Sequence, residues 1–590
     1  MSSFYDLASL VMIPSGKKAG KVYSQKPLTT DGQLDFTRAS TATRIGSDGL
    51  IEKTRTNLLL QSNTFSTTWA NTRSTETSGQ SGYDGTSDAW LLESTATNSS
   101  GYILQDLTTS SLNTRSIYAK AGTSNWMALY TTGTERTFFD LQNGVIGSAS
   151  SDIIDSKIEP VGNGWYRCSI AISLEDNFYV FIANSDSNVT TNSGDNIYIQ
   201  DAQLEPGLVA TDVITTTTAA VSVGSVDNMP RLNYTPGSAT SCPSLLLEPQ
   251  RTNIVTHSEY FEGSGWSQIN ATILSNATTS PEGVMNASKW IASSGLSLHN
   301  LYQIPTTASG VPHTASGYFK AEEYPLAFLR LGGVNGQPYV IYDLRDQSTV
   351  STSGLTSHDI QSVGNGWYRI TATATTTNLV LAPNLCFLPE SGYTLDAGNN
   401  PSFTGDGTSG GYLYGAQLEE GSYATSYIPT FGATVTRVTE DVDLVNNGIT
   451  TNAGTWYLEM KYFQSGNYGS GTPSILINPS SGSGYISILS NQVSNTMRCR
   501  VHNGSGASYV GGSFSPADLN KFAFQWDGTT FKFFRNGVEY ASTSFVTSVV
   551  YSVMNLPDQS RAGLFPVNKT LFFPTKLTDA QCIELTSTDS

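Results

Sequence analysis

The chain has 590 residues, of which 13% are charged and 11% aromatic, and it carries a formal net charge of −17. That charge repels nucleic acid and anionic membrane from the average surface and excludes both as general partners. The length provides for about three to four domains, and a sequence poor in Lys and Glu but rich in Tyr, Thr, Ser, Asn and Gly favours strands and turns over helices.

In chain order, the first thirty residues are locally basic, with Lys17, Lys18, Lys21 and Lys26. Phe4, Leu7, Leu10 and Val11 are spaced for one helical face, yet the stretch ends at Pro14-Ser15-Gly16. As a free tail it would expose apolar surface, so it is expected to dock, on another protein or on the chain's own first module. Leu7 to Ile13 is too short for a secretory signal and lacks a basic leader and a cleavage site, so folding in a reducing cytoplasm is expected. The five cysteines (Cys168, Cys242, Cys386, Cys499, Cys582) lie at least 74 residues apart with no CxxC or Cys/His spacing. Buried or semi-buried thiols are therefore expected, with neither a zinc site nor a disulfide framework. No stretch approaches a membrane span.

Most of the remaining chain is one module used twice. Val161-Gly162-Asn163-Gly164-Trp165-Tyr166-Arg167 returns unchanged as Val363-Gly364-Asn365-Gly366-Trp367-Tyr368-Arg369. Arg55-Thr56-Asn57 answers to Arg251-Thr252-Asn253, and Gln203-Leu204-Glu205 to Gln417-Leu418-Glu419. Trp69, Trp90 and Trp165 pair with Trp266, Trp290 and Trp367 and are read as core plugs. Apolar side chains alternate from Tyr166 to Ile172 after an Asn-Gly turn, the pattern of a half-buried hairpin strand. Short strands punctuated by Gly and Asn make each copy a β-sandwich. The second copy is longer in Pro389 to Gly411, which reads as an enlarged surface loop and the better place to look for specificity.

The C-terminal part is a different unit. Phe522, Phe524 and Trp526 alternate up to Asp527-Gly528, Phe531 and Phe533 alternate up to Asn536-Gly537, and Val538 to Ser542 returns as a third strand. Thr578-Asp579-Ala580-Gln581 has capping-box form and opens a short helix through Leu585.

Catalytic signals are sparse. The five histidines are scattered away from any nucleophile motif, and Gly504-Ser505-Gly506 lacks the context of a phosphate cradle. The carboxylate pairs Glu322-Glu323, Glu419-Glu420 and Asp441 with Asp443 read as solvated, so no enzyme activity is expected. Asp396, Asn399, Asn400 and Asp406 are dense oxygen ligands of the kind calcium takes, but no EF-hand spacing backs a site; Asx turns are the other reading, and no cofactor is expected. For sugar binding, the need is an aromatic face beside amides or carboxylates. Tyr83 in Gly82-Tyr83-Asp84-Gly85, Tyr468 in a Gly/Ser/Asn run, and Tyr509 beside Gly511-Gly512 have the composition of recognition loops.

Phe4 to Gly16, with Phe36 to Thr43, Gly49-Leu50-Ile51 and Arg55 to Leu58, resembles the start of structural proteins of tailed bacteriophages. Gly415 to Glu419 with Ala424 to Thr430 is similar to the closing strand of carbohydrate-binding-like jelly rolls. The first copy departs from it at Ala210 to Thr215, so a different exit path is expected there. Trp526 to Val538 is similar to concanavalin A-like (laminin-G-like) sandwiches.

The resulting expectation is an all-β chain: residues 1–50 a docking segment, 51–216 a first jelly roll, 217–440 a linker and second jelly roll, 441–590 a concanavalin A-like sandwich. The resemblance implies a non-enzymatic virion protein, a fibre or spike whose distal, lectin-like sandwich touches a host-surface glycan, and which docks to other virion proteins through its N-terminal segment and forms a homo-oligomer, a trimer by analogy with fibres. A capsid or tail decoration protein without receptor contact is the first rival. A polysaccharide depolymerase is the second.

Overall fold

The computed structural model describes residues 2–27, 33–107, 112–131, 135–173, 177–334, 336–375, 381–445, 452–461, 473–478, 485–491, 496–502, 507–514, 519–544, 553–556 and 565–588. The fold class is as expected: tandem jelly-roll β-sandwiches and a concanavalin A-like sandwich, with very little helix.

Each copy of the repeat builds two six-stranded antiparallel sheets. In the first, one sheet runs Ile153–Gly162, Trp165–Ile172, Asn113–Ala121, Asn196–Pro206, Ala89–Ser94, Ser74–Gln80. The second copy places Ser357–Gly364, Trp367–Thr375, Pro312–Ala321, Gly410–Glu420, Ala287–Ala292 and Ala271–Thr278 in the same order. The Asn-Gly turns open both hairpins as their chemistry demands, with φ of +52° and +78° at Asn163 and Gly164, and +54° and +77° at Asn365 and Gly366. Cys168 and Ile170 point inward to the sandwich core with Trp69 and Trp90, while Trp266 and Trp290 fill the second core. The third tryptophan pair behaves differently. Trp165 and Trp367 are equally buried, but each belongs to a separate aromatic cluster apart from its sandwich core.

The repeated polar strings are latches. Asn57 Nδ2 donates to the carbonyls of Ala202 and Ile214, and its Oδ1 accepts from the amides of Leu59 and Leu204. Asn253 makes the same four bonds to Ala416, Ile428, Val255 and Leu418. Glu205 accepts from the amide and hydroxyl of Thr211 as Glu419 does from Thr425, and Gln203 and Gln417 accept from the amides of Ile214 and Ile428. Buried amide and carboxylate groups need this complete pairing. The different exit path expected for the first copy is thus corrected: Thr211 and Ile214 take the places of Thr425 and Ile428, because the latch reads backbone amides and one threonine hydroxyl rather than the rest of the string.

The enlarged segment of the second copy is more regular than a loop. Pro401–Gly405 pairs with Thr394–Leu395 on one side and Gly295–Leu298 on the other as a small three-stranded sheet, with Phe403 buried. Asp396 accepts from the amides of Gly398 and Asn400, and Asp406 from those of Thr408 and Ser409, the bonds of Asx turns.

The C-terminal sandwich recruits the other end of the chain. Its expected meander is present as Leu519–Trp526, Thr530–Arg535 and Val538–Ser544, and Asp579–Thr586 is a helix with a complete capping box at Thr578 and Gln581. Beyond this, Leu10–Met12 pairs with Phe565–Phe573, and Leu34–Thr37 pairs with Asp441–Val445. Ser244–Leu247 joins the same sheet through Phe565–Phe573. Leu10, Met12, Val22, Leu34, Phe36, Leu232 and Leu245 share one core with Trp456, Phe522, Phe524 and Trp526. The expected docking on the first module is therefore corrected: these strands dock on the C-terminal sandwich of the same chain. The helix Ser2–Leu7 is short, and Leu10, Val11 and Met12 are all buried, because an edge of the C-terminal sheet offers them both hydrogen bonds and apolar cover.

A buried ion network locks this arrangement. Glu440 accepts from Arg38 Nη1 at 2.8 Å and Arg231 Nε at 2.6 Å, and Glu248 pairs with Arg231 and Arg437, each at 2.8 Å. The side chains of all five are 0–1% exposed. Burial would raise the Glu248 carboxyl, but Arg437 and Arg231 override it and hold it down at about 2. A second group, Lys53 with Glu259 (2.7 Å) and Glu282 (2.9 Å) and Arg55 with Glu282 (2.8 Å), ties the start of the first module to the second.

Breaking a buried pair leaves uncompensated charge. Glu248→Gln is expected to cost about 3 kcal/mol in denaturant unfolding at neutral pH. Because this carboxyl lies lower in the folded state than unfolded, its contribution is complete above about 4.5 and is lost as pH falls towards about 2. The gap between wild type and variant should narrow across that window, and a gap constant with pH would contradict the assignment.

Candidate functional site

The two aromatic clusters occupy the same face of the same sheet in the two copies, and only one is roofed by the rest of the chain. In the second copy, Tyr318, Trp367, Tyr414 and Tyr427 pack with Ile51 and Val363, with Ile45 against them, so the hairpin of Arg44–Ile45 and Ile51–Glu52 covers the face. In the first copy, Tyr118 and Trp165 are buried beneath Tyr83, Tyr198 and Val213, which are only half-buried.

Strand geometry explains who stands there. Ile117 and Ala119 face the core, so Tyr118 projects the other way; Ile197 and Ile199 face the core, so Tyr198 and Gln200 do likewise. Arg167 lies opposite Tyr118, and its guanidinium sits 5.4 Å from that ring. The turn at Gly82 to Thr86 then folds over the sheet. Tyr83 stacks on Tyr118 with ring centroids 3.8 Å apart and an interplanar angle of 6°, and meets Trp165 edge-on at 6.4 Å. Its amide donates to Gln200 Oε1 at 3.1 Å and its hydroxyl to Asp201 Oδ2 at 2.9 Å.

Asp201 marks the divergence of the copies. A β-bulge interrupts the pairing of Ser116 and Tyr118 with their partner strand, and the bulged residue has φ +48° at Asp201 and +60° at Gly415 in the second copy. At Gly415 a Cβ would meet Tyr318 at 2.9 Å and Tyr427 at 3.3 Å. The first copy has Val213 where the second has Tyr427, which frees the space that the Asp201 side chain and Tyr83 share. A non-glycine residue held in the left-handed region beside an aromatic stack is an unusual choice and directs attention here.

The chemistry is carboxylate-rich. Gln200 Nε2 donates to Asp88 at 2.8 Å and Asp84 at 3.3 Å, and Thr86 bridges both acids. Burial pushes the Asp201 carboxyl up, reinforced by Asp88 and Asp84 and opposed by the Tyr83 hydroxyl. Burial, followed by the Asp201 charge, pushes the Tyr83 phenol up. Next to Arg167 the face runs into a polar cavity of about 430 Å³ lined by Asp48, Lys53, Arg55, Arg167, Asp212 and Glu282. A stacked ring pair beside carboxylate and amide groups can hold the apolar face of a sugar and accept from its hydroxyls.

No protein-family model and no curated protein matches the chain. Among solved structures it is similar to the N-terminal CBM22-1-CBM22-2 tandem domain from Paenibacillus barcinonensis Xyn10C, at 10% identity and TM-score 0.19 over 62% of this chain and 96% of that one. It is also similar to the LG1-3 region of the laminin alpha2 chain, at 10% identity and TM-score 0.16 over 82% and 97%. The fold stands on its strand pairings, not on these likenesses.

Of the tyrosines singled out by sequence, Tyr83 is in this cluster, but it is not the free-standing loop ring expected: Tyr118 covers one face and Asp201 holds the hydroxyl. Tyr468 lies outside the described residues. Tyr509 is not in a loop; it sits in the strand Ala507–Phe514 opposite Arg500, and its side chain is outside the described residues. Sequence reasoning misses Tyr118, Trp165, Arg167, Gln200 and Asp201. The mismatch of Asp201 with Gly415 and of Val213 with Tyr427, read from the repeat alignment, is the signal that marks them. Among the described residues no group of three or more His, Cys, Asp or Glu is placed to hold a metal.

An Asp whose folded-state pKa is raised weakens the fold as pH rises through that value. Asp201→Asn keeps an acceptor for Tyr83 without the buried charge. Its melting temperature should exceed wild type at pH 7, and the difference should shrink as pH falls towards the ordinary Asp range. A variant less stable than wild type at pH 7 would count against this reading of Asp201.

Proposed function

We propose that the chain is a non-enzymatic, oligomeric structural protein of a tailed-phage virion, a fibre or spike whose first sandwich contacts a neutral host-surface glycan. The virion part rests on the resemblance of Phe4 to Gly16 and Phe36 to Thr43 to phage structural proteins. The glycan part is carried by one observation: the outer ring of the tyrosine stack, Tyr83, is only half-buried beside its carboxylates in the first copy, while the equivalent face of the second copy is roofed by the hairpin of Ile45 and Ile51. Asp84, Asp88 and Asp201 outnumber Arg167, which favours neutral over acidic saccharides. Affinity per site is low for so small a face, and many copies on a particle raise it through avidity.

Tyr83→Ala removes the outer ring of the stack. Against neutral oligosaccharides released from host envelope it should lose about tenfold in affinity, the scale of one aromatic contact and one hydrogen bond, and particles carrying it should adsorb more slowly. Unchanged adsorption with normal particle assembly would favour the decoration reading. Release of reducing ends from the polysaccharide by purified protein would favour the depolymerase.

A further inference from the structure

We infer that the second sandwich holds a ligand pocket of its own, for a neutral polyhydroxylated ligand the size of a single sugar ring, built on His313, Thr307 and Glu420. The cavity measures about 420 Å³ and is lined by Arg251, Thr252, Thr306, Thr307, His313 and Glu420, within the size range of small-molecule sites. It lies apart from the tyrosine stack and shares no residue with it.

Two polar groups in it are buried and unengaged. His313 is 1% exposed, and the bond it makes is from Nδ1 to the Val311 carbonyl at 3.2 Å, with no partner at Nε2 among the described residues. A carbonyl only accepts, so the proton sits on Nδ1 and Nε2 offers a bare lone pair to the cavity. Thr307 is 6% exposed, and its hydroxyl has no partner among the described residues. Buried polar atoms are almost always paired, and leaving them unpaired costs stability. Glu420, cross-strand from His313, adds a carboxylate. Arg251 already serves Glu419 at 3.6 Å and the Gln250 carbonyl at 3.0 Å.

A lone pair, a carboxylate and hydroxyls in one cavity call for a ligand that donates several hydrogen bonds, and they repel an anion. The pocket is also private to the second copy. The cross-strand pair His313 and Glu420 is Asn113 and Pro206 at the same register of the first copy, and Arg55 turns instead to Glu282. Duplication kept the latch and changed these positions around it.

The test uses the full chain with its five histidines labelled at Cε1, the His313 signal being identified with His313→Asn. Methyl glucoside, methyl galactoside, N-acetylglucosamine and acetate are titrated separately to about 20 mM, which covers the weak affinity of one sugar ring. The expected result is saturable movement of the His313 signal with at least one sugar and none with acetate, weakened about tenfold in Thr307→Val and unchanged in Tyr83→Ala. The pocket is overturned if no sugar moves the signal, if acetate moves it as strongly, or if Thr307→Val binds as wild type. Loss of the shift in Tyr83→Ala would assign it to the first sandwich and also overturn this pocket. A retained shift there, with no glycan binding by the first sandwich, would leave this pocket standing and the glycan-contact reading fallen.

Discussion

Glu440 and Glu248, set among Arg38, Arg231 and Arg437, join segments that are remote in sequence; Arg38 and Glu440 are 402 residues apart. Each carboxylate is fully buried, so it is tolerable only with its arginines in place, and the arginines also donate to backbone carbonyls and hydroxyls: Arg38 to Ser225, Val226 and Met229, Arg231 to Thr43 and the Ser426 hydroxyl, Arg437 to Pro249 and the Ser426 hydroxyl. The cost of dehydrating these groups is offset by the pairing of each carboxylate with two arginines. It fixes the N-terminal segment against the linker, the linker against the exit of the second sandwich, and so allows Leu10–Met12 and Leu34–Thr37 to complete the C-terminal sheets.

The asymmetry of the two copies is a consequence of that closure. The hairpin around Ile45 and Ile51 leaves the N-terminal strands and lies over the second aromatic face, which leaves the first face as the open one. The first copy carries Val213 and Asp201 where the second has Tyr427 and Gly415. The second copy diverged elsewhere, at His313 and Glu420. Two sandwiches with one latch thus present two different chemistries, set by the positions at which the copies differ.

Much of the architecture is legible in the sequence because it is local. Asn-Gly turns, the alternation of Phe522, Phe524 and Trp526, and the capping box at Thr578 each specify their element with nearby residues. The placement of residues 1–50 is not legible, since Leu10 to Met12 finds its partner at Thr570 to Phe572 and no local pattern encodes so distant a pairing. The site is half legible. Tyr83 shows as an aromatic in a turn, whereas Trp165 reads as a core plug and Tyr118 carries no signal, because strand alternation alone does not say which face another element covers. The string from Val161 to Arg167 reads as scaffold only, yet its buried Trp165 and its Arg167 back the tyrosine stack.

Hydrogen exchange of the intact chain measures the closure directly. Amides of Leu10 to Met12 and Phe36 should exchange as slowly as those of Trp456 to Leu458 and Phe522 to Trp526, because they open only with the same sandwich. Exchange of residues 10–12 and 34–37 that is orders of magnitude faster than the sandwich core would show an N-terminal segment that docks and leaves independently, and would contradict the account.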